Sequence, residues 1–271
     1  MLTDYHVHLH ESKGITLDWL KEYVEVARQR GIGDLGISEH AYFFQETKEI
    51  LVNDWANRRR SLHFQDYLAL FEAAEKEKIP VKMGIEMDYV PGKEREIEEF
   101  ISRYPFDYVI GSVHWIGDWG IDLAAYRDEY EKRDIYEVYR AYFDQVVTLA
   151  ESRLFQFVGH IDLVKIFNYR PTDQAFLEGE YDRVVRALSR SGTSIEISTA
   201  GLRKPVGEIY PDPLLLKKCF EAGVTIVLSS DAHEPQHVGY EYGKAVELAR
   251  SVGYTEVQVF TRKKKSAYPL G

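Results

Sequence analysis

Cysteine is almost absent: Cys219 is the single one in 271 residues. No disulfide can form within the chain, which excludes a disulfide-stapled scaffold and suits a reducing compartment. No apolar run approaches the length of a membrane span, and the first residues carry no basic-then-apolar signal. Basic residues are in the minority, with 34 Lys and Arg against 44 Asp and Glu and a formal charge of −10. Nucleic-acid binders usually present a basic footprint, so a general nucleic-acid partner is disfavoured. No internal repeat, low-complexity stretch or linker divides the chain. We expect a soluble, cytoplasmic protein with no membrane partner, forming one domain over residues 1–271; the sequence leaves its oligomeric state open.

Hydrophobic residues make up 45% of the chain, enough for one large core, and α/β barrels of this size are commonly single domains. Short apolar runs alternate with longer helical patterns, which predicts βα units and a parallel sheet. The strands are expected at Leu2–His8, Asp34–Ser38, Val81–Glu86, Tyr108–Val113, Phe155–Gly159, Ser194–Ser198 and Val224–Ser229. Helices are expected from about Thr16 to Gly31, at 63–78, 93–103, 135–152, 176–190, 212–222 and 236–252. Residues 41–62 read as a long loop and 115–134 as an insertion. Val257–Phe260 reads as a short eighth strand, and Arg262–Lys265 as a solvated basic end.

The chemistry begins at Asp4-Tyr5-His6-Val7-His8-Leu9-His10. In a strand every second side chain points the same way, so His6 and His8 share a face. A lone His-x-His is equally well two surface histidines. The rest of the chain decides, because metal-type residues recur where strands end: Glu39 and His40, Glu86, His114, His160, then Asp231 and His233. Strand six alone lacks one at that rim. Active sites of βα barrels lie at the C-terminal ends of the strands. Imidazoles and carboxylates without thiolates suit zinc, manganese or iron. Cations held close together need a bridging carboxylate, and Glu86 and Asp231 are the natural bridges. Such a cluster acidifies a bound water and clamps a phosphoryl oxygen, a recipe for phosphoester hydrolysis.

The ordered set His6-x-His8, Glu39-His40, Glu86, His114, Gly159-His160 and Asp231-x-His233 resembles the PHP (polymerase and histidinol phosphatase) superfamily. Gly159-His160-Ile161-Asp162, Ser198 through Lys204 and Gly207-Glu208-Ile209-Tyr210-Pro211 resemble its monofunctional histidinol-phosphate phosphatase branch, over essentially the whole chain. The resemblance implies a distorted seven-stranded βα barrel of TIM-like type and two or three divalent transition-metal ions (Zn, Mn or Fe). It also implies hydrolysis of L-histidinol phosphate to L-histidinol and phosphate in histidine biosynthesis. Carried over, it places His6, His8, Glu86 and Asp231 around one ion. Glu86 bridges to a second held by His114 and His160, and His40 and His233 hold a third. Many members carry a further His a few residues after the first pair; Gly14 takes that position here, leaving Glu11 or His10 to substitute, with Glu11 preferred. Asp231, Glu86 and His233 are the expected catalytic set, Asp231 accepting or positioning the proton of the attacking water.

Arg203, in the loop after strand six, is the first choice for the phosphate, because a guanidinium binds two phosphate oxygens at once. Lys165 and Lys204 are the alternatives. The run Arg58-Arg59-Arg60 either closes over an anion or is a solvated face. Tyr42 and Trp115 follow ligand positions and would pack on an imidazole or on neighbouring protein. Glu39 either binds metal or orients His40. The rival readings are a related phosphoesterase acting on another small phosphomonoester or on nucleotides, and a metal-binding regulatory protein without turnover.

Overall fold

The computed structural model of the chain describes the backbone of residues 1–271 and every side chain except those of Glu11 and Ser12. The first strand is shorter than its alternation suggests: β1 is Thr3–Asp4. The Asp4 carboxylate accepts from Ser230 N, Ser230 Oγ and Gly239 N, and pairing resumes at Val7, bridged in parallel to Ala232. A short helix, α1 (His10–Lys13), follows. Next, α2 (Leu17–Gln29) starts behind Thr16, whose side chain accepts from Trp19 N. That bond satisfies one of the amide groups a helix start leaves open and is worth about 1 kcal/mol. Strand β2 (Asp34–Ile37) comes next.

The expected loop at 41–62 has structure of its own. Two 3-10 turns, Ala41–Phe43 and Gln45–Thr47, lead to α3 (Asp54–Arg59), capped by Asn53 through Ala56 N. After α4 (Phe64–Lys76), the expected third strand is broken into β3 (Val81–Met83) and β4 (Glu86–Asp88). The break falls at Gly84, whose carbonyl accepts from Tyr67 Oη instead of a neighbouring strand. A Cβ on Gly84 or Gly36 would lie 2.2 Å from the Tyr108 side chain, so glycine at both positions makes room for that ring.

The chain continues through α5 (Glu94–Arg103), β5 (Ile110–Ser112), and a small hairpin of β6 (Trp115–Ile116) and β7 (Trp119–Gly120) inside the 115–134 insertion. Then come α6 (Ile135–Ser152), β8 (Phe157–Val158), α7 (Gln174–Ser191) and β9 (Ser194–Ser198). The last elements are α8 (Pro213–Glu221), β10 (Ile226–Ser229), α9 (Tyr242–Val252), β11 (Glu256–Thr261) and β12 (Lys264–Pro269). The basic stretch at 262–265 is exposed apart from the half-buried Lys263, but it is a turn and not a loose end. It turns β11 into β12, with Arg262 N on Asp107, Lys263 Nζ on the Ile101 carbonyl and Lys265 Nζ on the Gly192 carbonyl.

The fold is α/β with parallel sheets. One has the order β1-β2-β3 and the other β10-β9-β8-β5-β4, every pairing parallel. Two bridges link them: Val7 to Ala232, and His40 to Glu86. Most helices bury an apolar face in one large cluster. A second, smaller cluster of Tyr5, Tyr108, Ile110, Phe157, Val227 and Phe260 draws on both sheets and on β11. Tyr5 stacks on Tyr108 at 4.8 Å between ring centres and Phe157 on Phe260 at 5.8 Å. Tyr5, Ile110, Phe157 and Val227 of this aromatic floor precede the ligand positions His6, His114, His160 and Asp231 by one to four residues in the chain.

Candidate metal centre

Glu86, 1% exposed, is the hub. Its Oε1 lies 3.2 Å from His6 Nε2, 3.2 Å from His160 Nε2 and 3.4 Å from His114 Nε2. Its Oε2 lies 2.6 Å from His40 Nδ1 and 3.6 Å from His8 Nε2. Asp231 Oδ1 stands opposite, 3.4 Å from His8 Nε2, 3.8 Å from His6 Nε2 and 3.6 Å from His233 Nδ1. Donor atoms around a tetrahedral ion with bonds of about 2.0–2.1 Å sit about 3.3–3.4 Å apart. Most of these separations match that edge. Three sets of donors converge within 4.8 Å: His8, His40 and His233; His6, Glu86 and His160; and His6, His8 and Asp231.

Strand geometry brings them together. His6 and His8 follow β1 on one side, with ring centres 5.0 Å apart. His40 reaches Glu86 through the bridge between their backbones. His160 and Asp231 hold left-handed backbone, with φ of 23° and 50°. That region is unfavourable for side chains other than glycine, and residues held in it recur at functional sites.

Burial and charge set the protonation pattern. Burial disfavours the His6 cation, but Glu196, Glu86 and Asp231 outweigh it and hold its pKa well above the usual value. His114 is pushed up to about 10, burial being outweighed by Glu86 and Asp88. Burial, joined by the neighbouring His40 and His233, holds His8 well below its usual value. Burial alone would raise Glu86 and Asp231, yet the imidazoles around them keep both well below the ordinary carboxylate range. His6 Nε2, both nitrogens of His8, His160 Nδ1 and Glu86 Oε2 are buried without a hydrogen bond of normal geometry. Buried polar atoms left without a partner cost about 1–3 kcal/mol each, and of these His6 Nε2, His8 Nε2 and Glu86 Oε2 face the common donor cluster. Imidazole and carboxylate donors so arranged fit divalent transition-metal ions.

Glu11, the expected addition at the third ion, lies outside the described side chains. Glu39 Oε1 accepts from Leu9 N at 2.5 Å and His10 N at 3.2 Å, fixing the chain that leaves His8. Tyr42 stacks on His40 at 4.8 Å, whereas Trp115 packs on Trp55 at 5.4 Å. In the arginine run, Arg59 lies over the Trp55 ring and Arg60 donates to the Leu51 carbonyl and Asn57. Arg203 Nη2 donates to the carbonyls of Ser230 and Asp231 at 2.8 and 2.9 Å, and its Nη1 is buried without a hydrogen bond. Lys204 is exposed.

Lys165, the expected alternative to Arg203, lies within the protein. It is 3% exposed, and its Nζ lies 3.2 Å from the Ile209 carbonyl, 2.9 Å from Asp162 and 3.5 Å from Glu208. An ammonium has three donors, and all three have partners. Asp162, buried and with its pKa raised by that burial, needs the cation.

Two carboxylates went unread in the sequence. Strand six does carry a polar group at the cluster: Glu196, fully buried, with Oε2 2.8 Å from His6 Nδ1. Asp88 Oδ1 lies 2.8 Å from His114 Nδ1. Both left a signal. Glu196 interrupts the apolar run Ile195-Glu196-Ile197, and Glu86-x-Asp88 repeats the one-face spacing of His6-x-His8.

Residues 4–200, more than half of the chain, match the PHP domain family. The chain therefore belongs to that family. A Deinococcus radiodurans protein named "Probable histidinol-phosphatase" is 34% identical over 268 residues, covering 97% of this chain and 98% of the relative. The Bacillus subtilis "Histidinol-phosphatase" is 27% identical over 266 residues, covering 90% and 98%. The crystal structure of histidinol phosphate phosphatase from Lactococcus lactis, complexed with zinc, L-histidinol and phosphate, aligns with a TM-score of 0.76 at 26% identity over 98% of each chain. Within the family, the branch is that of the histidinol-phosphatases.

Proposed function

We propose that this protein is a metal-dependent phosphomonoesterase that hydrolyses L-histidinol phosphate to L-histidinol and phosphate, a step of histidine biosynthesis. The carrying observation is the convergence of buried imidazole and carboxylate donors around Glu86 with a guanidinium at its edge. The Deinococcus relative and the zinc, histidinol and phosphate of the Lactococcus structure support the substrate.

His6, His8 and Asp231 would hold one ion beside Glu86, and Glu86, His114 and His160 a second. His40 and His233 would hold a third, with Zn, Mn and Fe all suited to the donors. Ions bound there would supply Lewis acidity toward a phosphoryl oxygen and lower the pKa of a water. Asp231, an ionised carboxylate with a pKa held down by burial-opposing imidazoles, takes or orients the proton of the attacking water. Glu86 keeps the imidazoles together, and His233, the ligand side chain with most exposure at 27%, stands at the mouth beside Asp231. Arg203 has one arm fixed on the Ser230 and Asp231 carbonyls, which leaves Nη1 to donate to the phosphate. Lys204, on the same loop, adds positive charge at the surface.

The same reading makes residues 1–271 one domain and the two sheets one distorted seven-stranded barrel. β3 and β4 count as one interrupted strand, and the Val7–Ala232 and His40–Glu86 bridges support closure. Among the described residues no helix is long and apolar enough to cross a membrane. The acidic balance and the single, buried Cys219 favour a cytoplasmic enzyme on a small ester over one on nucleic acid.

The test is phosphate release from L-histidinol phosphate, set beside a panel of other phosphomonoesters and a single-stranded oligonucleotide. We expect histidinol phosphate to give the highest kcat/KM. Preference for another ester, or for the oligonucleotide, would move the protein to a different activity on the same scaffold.

A further inference from the structure

Glu196 and Asp88 take no part in the steps above, yet each is buried directly behind the cluster. Glu196 sits at mid-strand in β9 between the buried Ile195 and Ile197. Its one side-chain hydrogen bond among the described residues runs from His6 Nδ1 at 2.8 Å. Asp88 follows Glu86 by two residues on β4 and meets His114 Nδ1, also at 2.8 Å. An ionised carboxylate only accepts, so the Nδ1 of each ring carries a proton. The Nε2 of each then turns inward: His6 Nε2 lies 3.2 Å and His114 Nε2 3.4 Å from Glu86 Oε1.

The other inner imidazoles are built differently. His8 Nδ1 and His160 Nδ1 are buried with no hydrogen bond. Braced and unbraced rings alternate: His6 is braced and His8 is not in the set with Asp231, and the braced His114 stands 3.3 Å, Nε2 to Nε2, from the unbraced His160. A carboxylate behind a ligating imidazole fixes its tautomer and ring orientation and makes the facing nitrogen a stronger donor.

We propose that Glu196 and Asp88 are positioning residues of the metal centre, each serving a different ion. Glu196 presents His6 Nε2 to the ion shared with His8 and Asp231. Asp88 presents His114 Nε2 to the ion shared with His160 and Glu86. This rests on the reading that the cluster binds divalent ions.

The experiment has two arms. In the first, metal-stripped wild type, Glu196→Gln and Asp88→Asn are titrated with Zn²⁺ against a chromophoric chelator, with circular dichroism as the check on folding. Each variant should weaken one zinc-binding step by about 10–100-fold and leave the other within about twofold. Folded variants that bind zinc like wild type would overturn the proposal, as would equal weakening of every step by either one. In the second arm, wild type labelled with ¹⁵N-histidine and loaded with ¹¹³Cd²⁺ is read by NMR, which needs no variant to fold. Cadmium coupling at Nε2 of His6 and His114, with Nδ1 still protonated, is expected; coupling at Nδ1 of either would overturn it. Failure of wild type to take up any zinc would instead sink the metal reading itself.

Discussion

The aromatic floor and the imidazole rim are both buried, they lie within a few residues of one another along much of the chain, and they are built by opposite rules. The floor's rings stack on one another; Tyr5 Oη donates to Asp34 at 2.6 Å and Lys82 joins the same carboxylate at 2.6 Å, while Tyr108 Oη is packed among rings without a hydrogen bond. The rim gathers donors and leaves several unpaired. One layer fits the chain to itself; the other fits it to something else. The floor should therefore set stability and the rim activity, and the two should separate under mutation.

The sharpest separation is expected at Asp231. Asp231→Asn keeps the shape and removes the charge, so kcat should fall by about 10³–10⁴-fold, toward the upper end for a positioned acid–base group because a ligand weakens too. Steady-state kinetics with metal analysis checks this. Phe157→Ala, in the floor, should cost about 3–5 kcal/mol in denaturant unfolding while the folded fraction keeps near wild-type kcat. Loss of activity per folded molecule there would break the division.

Arg203→Ala tests the edge of the rim. Losing one charge-assisted contact of about 1.5–3 kcal/mol should lower kcat/KM by about ten- to a hundredfold, mainly through KM, with bound metal nearly unchanged. Loss of metal would show that its hold on the Ser230 and Asp231 carbonyls matters more than any phosphate contact.

The smallest effect is the steepness of metal binding with pH. In the metal-free protein His114 is raised from 6.5 to about 10, so near neutrality its proton must leave before Nε2 can bind. Zinc affinity should rise by about tenfold per pH unit for each proton displaced, up to about pH 10 for His114. The metal-free fold shows the opposite sign. The His114 cation with Glu86 and Asp88 contributes stability that is full below pH 6.5 and is lost as pH rises through about 10. Zinc titrations and melts of stripped protein across that range check both slopes.

The difference between floor and rim also explains what the sequence made legible. His6, His8, Glu86, His114, His160 and Asp231 stood out because such residues are rarely placed at the ends of apolar strands without a task, and the structure brings all of them together. Helix α2 was legible from its start at Thr16, whose side chain accepts from Trp19 N; in the structure Asp134 and Asp173 cap α6 and α7 in the same way. Strand lengths were overestimated, because periodicity reports which residues are buried, not which backbones stay paired. Gly84 and Tyr67 break the third strand, and that needs a partner distant in the chain. The surroundings of Lys165 were illegible for the same reason: a cation five residues beyond His160 looks alike whether it faces phosphate or, as here, Asp162. Glu196 lies at the middle of its strand, so a pattern of metal-type residues at strand ends does not include it.

The central claim is that the rim works through divalent metal on histidinol phosphate. Phosphate release should be measured on protein stripped by chelation to verified metal-free content, then reloaded separately with Zn²⁺, Mn²⁺ and Fe²⁺. We predict no activity above background in the stripped protein and restored hydrolysis with at least one of these ions. Full activity in the verified metal-free protein would contradict the account.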